Sequence, residues 1–90
     1  MTLNGNSAEK IGAATTDTQE AVARIWGEIL QQPDVTGDSD FFELGGDSMM
    51  SMMVLFRVKD ELNVELPAGT LSEKPKFRQF CDLIEASRAT

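Results

Sequence analysis

Apolar residues recur at Val22, Ile25, Trp26, Ile29 and Leu30, the i, i+3, i+4, i+7, i+8 spacing of one helical face. Thr16 and Asp17 precede this run as candidate caps, with Gln19 or Glu20 placed to complete a capping box. The pattern predicts a first helix over residues 18–31, ended by Pro33. Residues 33–47 then hold a proline, three glycines and several Asp and Ser, the mark of a long connection. Phe41, Phe42 and Leu44 interrupt it with enough apolar area to pin the loop to the bundle as one helical turn, capped by Ser39 or Asp38. A second helix is predicted over residues 48–62, with Asp47 as N-cap and Asn63 in the left-handed turn that closes it. Val64 and Leu66 plug the core in extended form before Pro67. A short piece at residues 70–73 follows, and a last helix starts near Pro75, a residue suited to a first turn. Its inner stripe is Phe77, Phe80, Cys81 and Ile84, with Leu83 beside it. The fold class is therefore all-α: an up-and-down bundle of three main helices plus a short one, with a long loop between the first two.

Ninety residues, 41% of them apolar, suffice for one domain with one modest core. Residues 1–15 are polar or small without a sustained period and read as a mobile tail, leaving one domain over residues 16–90. A formal charge of −7 argues against nucleic acid as a partner, since that affinity rests on Lys and Arg displacing counterions. No apolar run approaches the roughly 20 residues that cross a bilayer, and no secretory signal is present, so a cytoplasmic monomer is expected. Between Ile25 and Phe56 stand six acidic residues, Glu28, Asp34, Asp38, Asp40, Glu43 and Asp47, and no Lys or Arg. This predicts a negative field on one side, either a solvated loop or a docking surface for basic partners. Cys81, the single cysteine, falls inside an apolar helical pattern and reads as a buried small hydrophobe. Histidine is absent, which removes the usual general base and the commonest transition-metal ligand; no metal site is expected.

The segment with chemistry in it is Asp40-Phe41-Phe42-Glu43-Leu44-Gly45-Gly46-Asp47-Ser48, followed at once by a helix. Gly45 and Gly46 allow a sharp turn and leave open space beside Ser48, whose hydroxyl falls among the unpaired amides of a helix start. Amides and helix dipole together favour a phosphate there, although the Asp47 carboxylate works against it. Other phosphate-loop readings fail: there is no Gly-x-x-x-x-Gly-Lys-Ser/Thr. An EF-hand beginning at Asp34 fails too, with Ser39 at its sixth position and Gly45 at its twelfth. A serine hydrolase would need a base the chain lacks.

DFFELGGDS with its helix, then Val64-Glu65-Leu66-Pro67 and the last helix near Pro75, resembles the carrier-protein family over residues 18–86, above all peptidyl carrier proteins of nonribosomal peptide synthetases. The resemblance implies that Ser48 is the attachment residue for 4′-phosphopantetheine from coenzyme A, with Gly45, Gly46 and Asp47 as its attachment loop. It implies a non-catalytic carrier, served by a phosphopantetheinyl transferase, an adenylating loading enzyme and condensation or tailoring enzymes. A start methionine, short tail and an end just past the last helix suggest a freestanding, type II form. An acyl carrier of a polyketide or fatty-acid system, or a D-alanyl carrier, keeps the chemistry and changes the cargo. Met49-Met50 after the serine speaks against the fatty-acid branch, which typically reads Leu-Asp there.

On the second helix, Ser51, Val54, Leu55, Val58 and Leu62 share one side and must face the bundle. Met49, Met52, Met53 and Phe56 fall on the opposite or flanking side with Arg57 and Asp60, a cluster suited to partner contact. Carrier proteins are expected to be polar at some of these positions, notably those of Met53 and Phe56. A small helical adaptor binding proteins through this face, with the serine incidental, is the alternative from a different functional class.

Overall fold

The computed structural model describes residues 16–88; the tail assigned to residues 1–15 and the last two residues lie outside the described residues. Among the described residues four helices follow one another: α1 (Asp17–Leu30), α2 (Ser48–Leu62), α3 (Thr70–Glu73) and α4 (Phe77–Arg88). α1 is stopped and started by local chemistry. The Thr16 hydroxyl accepts from the Gln19 amide at 3.1 Å, while the Gln19 side chain accepts from the Thr16 amide at 3.0 Å, so the capping box is built from these two residues. At the other end Gln31 adopts a left-handed conformation, φ 57°, and the helix closes before Pro33. α2 is bracketed as expected, by Asp47 at its N-cap and by Asn63 at φ 58°.

The core runs between α1, α2 and α4. Trp26 is fully buried at its centre, edge-on to Phe41 and Phe77 at 5.2 and 5.3 Å between ring centroids and tilted against Phe80 at 5.9 Å. Its indole N–H finds no acceptor among the described residues. Val22, Ile25 and Leu30 complete the buried face of α1, whereas Ile29 sits at the margin, only partly buried. Val35 from the long loop, Val64 from the extended connection and Leu71 from α3 close the core from outside the main helices.

Two boundary expectations are corrected. α4 begins at Phe77, not at Pro75, because residues 75–78 pair with the first loop. The Phe41 amide donates to the Pro75 carbonyl at 2.8 Å, the Phe77 amide to Ser39 at 2.8 Å and the Arg78 amide to Gly37 at 3.2 Å. Asp40 and Lys76 thereby form an isolated antiparallel bridge, and loop carbonyls satisfy helix-start amides that a side-chain cap would otherwise take. The helical turn in the loop exists, closed by Leu44 N–H donating to the Asp40 carbonyl, but its cap is Asp40. The Asp40 Oδ1 accepts from the Phe42 and Glu43 amides at 2.9 and 3.1 Å. Ser39 and Asp38 are occupied elsewhere, by the Thr36 amide and the Arg78 guanidinium. Phe41 is buried and Leu44 partly so, while Phe42, also expected to pin the loop, is turned outward and 38% exposed.

α1 and α2 are tied on the surface by four charges. Glu61 accepts from Arg24 at 2.7 Å and from Arg57 at 2.8 Å, and Arg57 also reaches Glu28 at 2.8 Å. Hydrogen bonds from Arg24 first and Arg57 second hold the Glu61 carboxyl at about 2, below its ordinary 4.5. A depressed folded-state value means that the stabilisation is complete above about 4.5 and disappears as pH falls toward about 2. Solvent screening limits it to roughly 1 kcal/mol or less. Melting curves of wild type and Glu61→Gln should therefore differ at neutral pH and converge in acid; curves separated by the same interval throughout would remove Glu61 from the acid response.

Candidate functional site

Ser48 is the first residue of α2 and is exposed. Its backbone is fixed on both sides. The Asp47 carboxylate accepts from the Met50 amide at 2.8 Å, the Asp47 carbonyl from the Ser51 amide at 2.9 Å, and the Ser51 hydroxyl donates to the Ser48 carbonyl at 2.7 Å. The Ser48 hydroxyl itself has no hydrogen bond to any described residue, so a main chain held on both sides leaves an exposed hydroxyl at the head of the helix.

The two glycines before it do different things. Gly45 has φ +101°, a conformation L side chains rarely adopt, and a Cβ there would meet nothing within 4 Å. Gly46 is closely packed: a Cβ would run into the Phe41 ring and lie 2.8 Å from the Phe41 carbonyl. The expected open space beside the serine therefore belongs to Gly45 alone, and Gly46 is what lets the loop close over Phe41. Buried Phe41 in turn rests on Trp26, so the sequence FFELGG couples the core to the serine through close packing.

The expected negative field is reduced by basic residues brought in from other segments. Arg57 pairs with Glu28, and Arg78 pairs with Asp38 at 3.2 Å. Asp40 and Asp47 each direct a carboxylate oxygen into backbone amides.

The two faces of α2 separate as expected. Ser51, Val54, Leu55 and Val58 are buried and Leu62 partly so, whereas Met49 is 75% exposed, Met52 52%, Met53 49% and Phe56 74%. Positions 49, 52, 53 and 56 repeat at i, i+3, i+4 and i+7, so they form one stripe that starts a residue after Ser48. Met50 points the other way and packs partly against the core. The stripe borders a shallow groove where Met52 and Phe56 meet Lys59, Glu65 and Leu66. Arg57 is not part of it, being drawn to α1 by Glu28.

Cys81 is 1% exposed, and burial first, then nearby Asp82 and Glu85, push its thiol up to about 12, so it is a packing residue. Among the described residues no group of His, Cys, Asp or Glu is arranged to hold a metal ion. A phosphodiester-linked arm on Ser48 fits what is present: an exposed hydroxyl, a helix start and the open side of Gly45, with Asp47 as the opposing charge.

Residues 20–84 match the family described as "Phosphopantetheine attachment site". The chain is 33% identical over 82 residues to surfactin synthase subunit 2 of Bacillus subtilis (strain 168), covering 91% of itself and spanning only 2% of that relative's length. Among solved structures, it resembles the solution structure of an active-site mutant peptidyl carrier protein with a TM-score of 0.77 and 25% identity, covering 83% of each chain. It also resembles BlmI, a type-II acyl-carrier-protein from Streptomyces verticillus involved in bleomycin biosynthesis, with a TM-score of 0.73 and 25% identity over 92% of this chain and 94% of that one.

Proposed function

Since the chain belongs to the phosphopantetheine attachment family, related to the carrier domains of nonribosomal peptide synthetases, we propose that Ser48 is the residue that receives the arm and that residues 16–90 act as a peptidyl carrier. When bound, the arm supplies a thiol that holds an aminoacyl or related acyl group as a thioester. The observation that carries the reading is the Ser48 hydroxyl, exposed and without a hydrogen-bond partner among the described residues at the head of α2, while its main chain is held by Asp47 and Ser51. The chain's own part is presentation. It has no histidine, and the carboxylate nearest in sequence, Asp47, is turned to the Met50 amide, so removal of the serine proton falls to a phosphopantetheinyl transferase acting in the cytoplasm. Met49, Met52, Met53 and Phe56 offer that enzyme, the adenylating enzyme and condensation or tailoring enzymes an adaptable apolar surface.

Incubation with coenzyme A, magnesium and a broad-specificity transferase should add one phosphopantetheinyl group per chain by intact mass. Ser48→Ala should abolish the addition with an unchanged circular dichroism spectrum. Modification of the alanine variant, or an unmodified wild type beside a competent control carrier, overturns the assignment. A second reading, a polyketide or other acyl carrier, is favoured by the likeness to a type-II acyl-carrier-protein, and loading assays with aminoacyl and acyl donors decide between the cargoes.

A further inference from the structure

The five methionines of the sequence are unevenly placed: Met49, Met52 and Met53 stand out on one face of α2, Met50 is partly buried on the other, and Met1 lies outside the described residues. The other oxidisable sulfur, Cys81, is enclosed in the core between Phe80 and Ile84 along α4. An oxidant in solution therefore meets a set of thioethers concentrated beside Ser48, and meets them where the fold does not depend on them. We propose that Met49, Met52 and Met53 form an oxidation-sensitive site, at which peroxide converts the thioethers to sulfoxides and switches off the apolar face of α2 while the bundle stays folded. In each step the thioether sulfur takes one oxygen from hydrogen peroxide: the O–O bond breaks, an S–O bond forms, the sulfur is oxidised by two electrons and water is released. The product is a polar, chiral group on the same backbone. Three such groups replace a greasy stripe by one that hydrogen-bonds to water, which removes the gain from desolvating it against a partner. Because inward-facing Ser51, Val54, Leu55 and Val58 carry the packing of α2, the helix keeps its seat.

The order of reaction follows exposure. Met49, at 75%, leads, Met52 and Met53 follow, and Met50 lags because it is partly buried against the core. The functional half of the proposal rests on the carrier reading above; the chemical half does not.

The test treats the full chain with graded hydrogen peroxide and maps oxygen addition by peptide mass spectrometry. Oxidation at Met49, Met52 and Met53 should run several-fold faster than at Met50, with the melting midpoint unchanged when all three are sulfoxides. The rate of phosphopantetheinyl transfer at low carrier concentration should then fall by roughly tenfold and return after treatment with methionine sulfoxide reductases of both stereospecificities. Met50 reacting as fast as the others, loss of the fold on oxidation, or an unchanged transfer rate overturns the proposal. Replacing the three methionines with leucine should abolish the peroxide response, read as the ratio of treated to untreated rate in that same variant; a persisting response places the sensitive group elsewhere. Failure of the carrier reading is visible separately, as absence of transfer to untreated wild type.

Discussion

Val58→Asp should leave the chain unfolded under conditions where the wild type is fully native. Val58 has no exposure to solvent; of the basic residues on α2, Arg57 is committed at the surface to Glu28 and Glu61, and Lys59 stands exposed on the outer side. A carboxylate at position 58 would be buried without a partner, which costs several kcal/mol against a total stability of about 4–11 kcal/mol for a domain of this size. The loss of helical circular dichroism measures it. The contrasting variant is the double replacement Met53→Gln with Phe56→Ser on the opposite face, where the melting midpoint should barely move, as is usual for exposed positions. Partner reactions should weaken in that variant by about 1–2 kcal/mol or more, since apolar anchors dominate such contacts. If it melts, the outer face belongs to the fold; if it folds and every partner reaction is unchanged, the stripe is not a recognition surface.

Trp26→Ala should lower stability by about 3–5 kcal/mol, the range for deleting a fully packed aromatic residue. The consequence reaches further than the core. Trp26 supports Phe41, whose ring and carbonyl fix Gly46, so a cavity at position 26 removes the floor of the turn that leads to Ser48. Trp26→Phe is the informative companion. The indole N–H has no acceptor among the described residues, so the phenyl ring loses packing volume but relieves a buried polar group, and its cost should be well below that of alanine. Denaturant titrations of the three proteins give the order; a phenylalanine variant as unstable as the alanine one would mean that the indole N–H is held by an ordered water and contributes to stability.

The elements with the strongest local signals were legible in the sequence. A run such as Val22-Ile25-Trp26 has only one helical face to bury, and Asp47 and Asn63 mark the ends of α2 by side-chain chemistry that acts within three or four residues. The start of α4 was not legible, because it is set by carbonyls of Gly37 and Ser39 almost forty residues earlier, and a proline favoured in first turns also tolerates the extended pairing it adopts. The cap of the loop turn was missed for a similar reason: Asp38 and Ser39 suit a cap as well as Asp40 until Arg78 and Thr36 claim them. Phe41 and Phe42 are adjacent and identical in type, so nothing local distinguishes the one that is buried from the one that faces water. The charge asymmetry of residues 25–56 is weaker in space than along the chain, since Arg57 and Arg78 pair with Glu28 and Asp38 when the helices pack.

The pairing of residues 37–41 with residues 75–78 bears on the order in which the domain can assemble. Capping at Asp47 is local and can form as soon as α2 does, but residues 37–41 gain their bonds to the rest of the fold only when Pro75, Phe77 and Arg78 are in place. Bringing those segments together closes a long span of chain, and the entropy of that closure is recovered only when Phe41 also reaches Trp26. The turn before Ser48 is therefore expected to be a late product of folding, acquired in the same cooperative step that docks α4. Premature chains would present the serine without the shape around it, and a transferase that reads that shape would thereby select completed domains.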